Sequence, residues 1–95
     1  MNATATGPVA REMIARLENS LAPTRLDLRD DSEQHRGHGG YRGPGAESHF
    51  HLSVESAAFT GLRSVQRQRL VYQALGDLMQ QQVHALSMET KAPGE

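Results

Sequence analysis

The sequence predicts a mixed α/β (α+β) domain of order α-β-β-α-β, with a three-stranded mixed sheet covered on one face by helices. Two stretches repeat apolar residues at helical spacing, and three shorter ones alternate apolar with polar residues. The second helical stretch lies between the second and third alternating stretches. That is the order a crossover between parallel strands requires, and such crossovers are right-handed. With 95 residues the chain makes one domain. A chain of this size supports a single modest core.

Residues 1–7 are small and polar and are expected to form a flexible tail. Pro8 suits a first helical position, where its missing N–H costs nothing. Val9, Met13, Ile14, Leu17 and Leu21 then form one apolar stripe. Pro23 ends this helix by disfavouring the α conformation at Ala22. Leu26 and Leu28 alternate with Arg25, Asp27 and Arg29 as a short half-buried strand. Residues 30–47 change character, with Gly37, Gly39, Gly40, Gly43, Pro44 and Gly45 set among His, Arg and acidic residues. A loop this long in a small domain is usually functional or disordered.

Phe50, Leu52 and Val54 alternate with His49, His51 and Ser53 as a second strand, which places both histidines on the outward, surface side. Ala57–Phe59 reads as a short helical turn before Gly61. Ser64 is the expected N-cap of the second helix. Val71, Ala74, Leu75 and Leu78 form its core stripe, Arg63, Arg67, Gln68 and Gln73 stay wet, and Gln80–Gln82 close it. Tyr72 has either a core-edge or an interface role. Val83–Thr90 reads as the third strand. The domain spans residues 8–91, and residues 92–95 form a C-terminal tail.

Composition narrows the function. Hydrophobic residues make up 37% and aromatics 4% of the chain, so Leu, Val, Ile, Met and Ala carry the core beside Phe50 and Phe59. There is no Cys, hence no disulfide, no thiolate nucleophile and no thiolate metal ligand. The formal charge of −1 gives little overall attraction to nucleic acid or anionic membrane. No apolar run reaches the ~18 residues of a membrane span. The opening residues do not resemble a secretory signal or transit peptide. The cytoplasm is the expected compartment.

No enzyme is expected either. No Ser-His-acid spacing or P-loop is visible. The glycine-rich stretch lacks the Lys and following helix of a phosphate cradle. Asp30 and Asp31 are adjacent, so in a strand they face opposite sides.

Three segments resemble the BolA family. Phe59-Thr-Gly-Leu-Arg-Ser-Val-Gln-Arg-Gln-Arg-Leu-Val-Tyr-Gln-Ala-Leu75 is similar to its signature F-x-G-x-x-x-V-x-R-H-R-x-V-Y-x-x-L. Val83-His-Ala-Leu-Ser87 resembles its V-H-A-L-S strand, and Glu47-Ser-His-Phe50 its E-T-H-F strand opening. The pieces occur in family order and spacing, and the resemblance covers about Val9 to Pro93.

The resemblance implies a fold similar to the class II KH domain. It implies a partner, a monothiol glutaredoxin, and a role in iron–sulfur trafficking, assembly or iron sensing. Some bacterial members are described as transcriptional regulators of stress response and cell morphology. Two metal ligands carry over. One is the His of the V-H-A-L strand, here His84. The other is the second His of a loop S-H-x-H. This sequence reads Ser32-Glu-Gln-His35, so His35 matches, with His38 as the alternative.

Glu33 replaces the first loop His, the loop is longer than the short family version, and Gln68 replaces the His of R-H-R. Without Cys the chain can offer a [2Fe–2S] cluster only imidazoles. The resemblance therefore implies a cluster shared with a glutaredoxin and its glutathione, and none bound stably by this chain alone. Imidazole in place of thiolate raises a cluster's potential.

A second expectation is nucleic-acid binding, DNA included, through Arg63, Arg67 and Arg69, with Arg36 and Arg42 near if the loop folds back. The KH-type G-x-x-G grip is incomplete here, since Gly61-Leu-Arg-Ser64 lacks its second glycine. Alone, the protein is expected to be a monomer or weak homodimer.

Overall fold

The computed structural model describes residues 7–31, 49–81, 83 and 85–95. The expected loop 30–47 lies outside the described residues from position 32 onward, and so does His84.

Helix α1 spans Pro8–Leu21 with Pro8 in its first turn. Ala10, Met13, Leu17 and Leu21 are its buried side, and Val9 and Ile14 pack beside them. It ends on Ala22, whose φ of 44° is left-handed and whose N–H donates to the Glu18 carbonyl. Strand β1 is Arg25–Asp30 and β2 is His49–Glu55. Asp30, expected in the loop, is the last residue of β1 and pairs with Phe50.

A 3-10 turn covers Ala57–Phe59, and helix α2 covers Ser64–Leu75. The N-cap is Arg63, one residue earlier than expected, because its N–H donates to Gln66 Oε1 at 2.9 Å. This contact satisfies the cap N–H at the start of the helix, and Ser64 falls in its first turn.

The second helix also stops earlier than expected. Gly76 has a φ of 57° and breaks the chain between α2 and a short α3, Leu78–Gln81. Arg16 of α1 secures this break. Its Nη1 donates to the Leu75 carbonyl at 2.7 Å and to Asp77 at 2.8 Å. A cation at a helix C-terminus stabilises the exposed carbonyls there. Arg16 also holds the Asp77 carboxyl below its ordinary range.

Strand β3 is Ala85–Lys91, starting two residues later than expected. The sheet order is β1-β2-β3, with β1 antiparallel and β3 parallel to β2. The mixed sheet with helices on one face therefore stands. Leu28, Phe50, Leu52 and Val54 of the sheet meet Met13, Leu17, Val71, Leu75 and Phe59 in one core. Burial of side chains this size contributes roughly 1.5–3 kcal/mol each before entropy is counted.

The residues expected as a C-terminal tail are tied down. Ala92 is buried, and Glu95 grips Arg67 with both carboxylate oxygens, at 2.7 and 2.6 Å.

Candidate functional site

The strand register defines two ends of the sheet. At one end Arg25 pairs with Glu55, and Glu55 with Lys91. At the other, the Asp31 N–H donates to the His49 carbonyl at 2.7 Å, and His49 lies opposite Ala85. Asp31 and His49 are the described residues flanking the segment that carries His35 and His38. Val83 and Ala85 flank position 84. The described stems of the two segments that carry the expected ligands thus meet the sheet at one end. His84, His35 and His38 themselves lie outside the described residues. Among the described residues no group of three His, Asp or Glu could hold a metal.

His49 corrects the sequence reading. It was expected on the surface beside His51, yet it is buried. Alternation fixes which side of the sheet a residue points to, not whether that side is covered at the strand's end. His51 does remain partly exposed. Its Nδ1 is 2.7 Å from Ser87 Oγ, and its Nε2 lies 3.5 Å from Glu89 Oε1. Ser53 Oγ donates to the same carboxylate at 3.1 Å. The hydrogen bond from Ser53, with His51 beside it, lowers the Glu89 pKa.

A serine, a histidine and an acid therefore do come together, on two neighbouring strands, where their linear spacing gave no sign. The parallel register of β2 and β3 is the signal that would have found them. They stand on the open face of the sheet in a row of cross-strand polar pairs. Such pairs contribute roughly 0.2–1 kcal/mol each. Beside them, at the Arg25–Glu55–Lys91 end, a groove of about 600 Å³ is lined in part by Asp27, Ser53 and Glu89. It carries charges of both signs, and it lies at the opposite end of the sheet from Asp31, His49 and Ala85.

The three arginines of the expected basic patch separate. Arg63 and Arg69 are exposed. Arg67, expected to be wet, keeps only 12% of its side chain exposed. Its Nε donates to the Leu62 carbonyl at 3.0 Å, its Nη1 to the Thr90 carbonyl at 3.3 Å, and both terminal nitrogens reach Glu95. The guanidinium lies 6.0 Å from the Phe59 ring centroid, within cation–π range. Arg67 therefore joins α2 to β3 and the C-terminal segment. The hydrogen bonds from Arg67 and from the Ala92 N–H hold the Glu95 carboxyl down at about 2.

This geometry can be set beside known proteins. The family described as BolA-like protein matches residues 17–95. The chain belongs to the BolA-like family. The BolA-like protein 1 of Mus musculus is 40% identical over 92 residues, which covers 96% of this chain and 63% of that protein. The chain thus spans less than two thirds of that relative's length. The solved BolA domain of SufE1 from Arabidopsis thaliana superimposes with a TM-score of 0.81 at 39% identity, covering 94% of this chain and 96% of that one. A protein of Vibrio cholerae named DNA-binding transcriptional regulator BolA is 37% identical over 75 residues, covering 79% of this chain and 66% of that protein. The BolA-like fold agrees with the α-β-β-α-β order. No helix among the described residues is long and apolar enough to cross a membrane.

Proposed function

We propose that this chain is a non-catalytic, cytoplasmic BolA-type partner of a monothiol glutaredoxin in [2Fe–2S] trafficking, assembly or iron sensing. In this reading His84 and one loop histidine, His35 or alternatively His38, face a cluster whose thiolates come from the glutaredoxin and its glutathione. The supporting observation is the shared sheet end, where the described neighbours of both histidine segments meet: the N–H of Asp31, just past β1, donates to the His49 carbonyl, and His49 pairs with Ala85. The donor set fits a shared cluster. Five histidines and no cysteine can supply imidazole nitrogens but not the thiolates on which most [2Fe–2S] sites rest. The cluster, when bound, supplies the one-electron chemistry. The protein's own residues orient imidazoles and cover one side of it.

The complex is the direct test. A cluster-loaded monothiol glutaredoxin mixed with this protein should elute from gel filtration as one heteromeric peak that keeps its visible absorbance. Separate elution of the two proteins at micromolar concentration would sink the reading.

A second reading, binding of DNA, draws on the exposed Arg63 and Arg69 and on the name of the Vibrio relative. It is the weaker one, since Arg67 is committed to Glu95. Binding that rests on phosphate contacts falls steeply with salt. Anisotropy of labelled DNA should therefore show weak binding that is lost by physiological salt. Tight, sequence-dependent binding there would favour this second reading.

A further inference from the structure

Helix α2 has two unlike sides. One buries Val71 and Leu75 and packs Leu70 and Ala74 against the core. The other carries Val65, Arg69 and Tyr72 at i, i+4 and i+7, which forms a single stripe. Val65 is 54% and Tyr72 40% exposed, and these are the large hydrophobic side chains left exposed among the described residues. Arg63 stands just ahead of the stripe. The helix Ser64–Leu75 contains no Asp or Glu, and no ion pair joins Arg63 or Arg69 to another described residue.

We propose that this stripe is a docking surface for an acidic segment of a partner protein that carries at least one apolar side chain. The partner's carboxylates pair with Arg63 and Arg69, and its apolar side chain sits between Val65 and Tyr72. Charge complementarity selects an acidic occupant, because α2 offers two free cations and nothing to repel a carboxylate. The apolar members select protein over nucleic acid. Val65 has no counterpart on a phosphate backbone, and two cations release too few counterions to hold a strand at physiological salt. Tyr and Arg are the residue types that dominate protein–protein hot spots. The stripe contains no histidine, so this docking surface does not depend on the cluster reading.

Amide NMR of the full ¹⁵N-labelled chain tests it with three probes. They are a synthetic Glu-rich amphipathic helical peptide with Leu on one face, its Lys-for-Glu counterpart, and a single-stranded oligonucleotide of similar length. The acidic peptide should shift the amides of residues 63–73. Arg69→Glu and Tyr72→Ser should each weaken it by about tenfold. Both positions are exposed, and the spectrum itself reports whether each variant is folded. The proposal is overturned if the acidic peptide binds no better than its basic counterpart, or if its shifts fall elsewhere. It is equally overturned if the oligonucleotide moves these amides at lower concentration, or if they shift with protein concentration alone, which would make the occupant a second copy.

Discussion

At the Arg25–Glu55–Lys91 end of the sheet, Ser56 is fully buried and fully used. Its hydroxyl donates to the Leu21 carbonyl at 2.5 Å and accepts from the Ala58 N–H at 3.1 Å, while its own N–H donates to the Lys91 carbonyl at 2.9 Å. The Thr24 N–H reaches the Glu55 carbonyl at 2.8 Å, and the Arg67–Glu95 pair lies just beyond. At the Asp31–His49–Ala85 end the sheet instead receives the two segments that hold the candidate ligands, beside a buried imidazole. Hydrogen bonds join α1, α2, β2, β3 and the C-terminal segment at the first end, which therefore sets stability. The second end is where the proposed function places the cluster. Damage at the first should unfold the protein before it harms partner chemistry, and the reverse should hold at the second.

Phe59→Ala is the harshest way to sharpen this contrast. It empties a fully buried ring site and should lower the unfolding free energy by about 3–5 kcal/mol, read from the urea midpoint. Ser56→Ala should cost about 1–3 kcal/mol, because it strands a buried carbonyl and an amide without their partner. A folded Ser56→Ala protein that no longer altered a glutaredoxin-bound cluster would break the contrast.

Glu95→Gln should act through pH. The folded pKa of Glu95, about 2, lies below its ordinary 4.5. Its contribution is therefore fully present above pH ~4.5 and is lost as pH falls toward 2. Thermal melts between pH 6 and 2 should fall less steeply for the variant than for the wild type, and parallel curves would remove Glu95 from the account. Ser87→Ala on the open face should have the smallest effect, under about 1 kcal/mol, and a larger loss in the urea midpoint would mean that the Ser87–His51–Glu89 row does more than pair strands.

Much of the fold was legible because its determinants are local. Alternation around Leu26–Leu28 and Phe50–Val54 located β1 and β2, and the Met13–Leu17–Leu21 spacing located the buried side of α1. The break at Gly76 was hidden because Leu78 follows Leu75 at helical spacing, so the apolar pattern runs straight through it. Arg67 and Ser56 were misjudged or missed for a different reason. Their partners Glu95 and Leu21 lie 28 and 35 residues away in sequence, and no local pattern encodes that. The Ser87–His51 contact likewise needs the register of two strands. The candidate ligands were legible only as a family resemblance, since a loop histidine and a strand histidine carry no spacing that marks them as donors.

The central claim is that the Asp31–His49–Ala85 end serves a shared cluster through His84. Visible circular dichroism of a [2Fe–2S]-loaded monothiol glutaredoxin, titrated with the wild type and with His84→Ala, tests it most directly. The account predicts a changed spectrum that saturates at a fixed ratio with the wild type and is absent with the variant. An unchanged spectrum with the wild type, or the same change with both proteins, would contradict it.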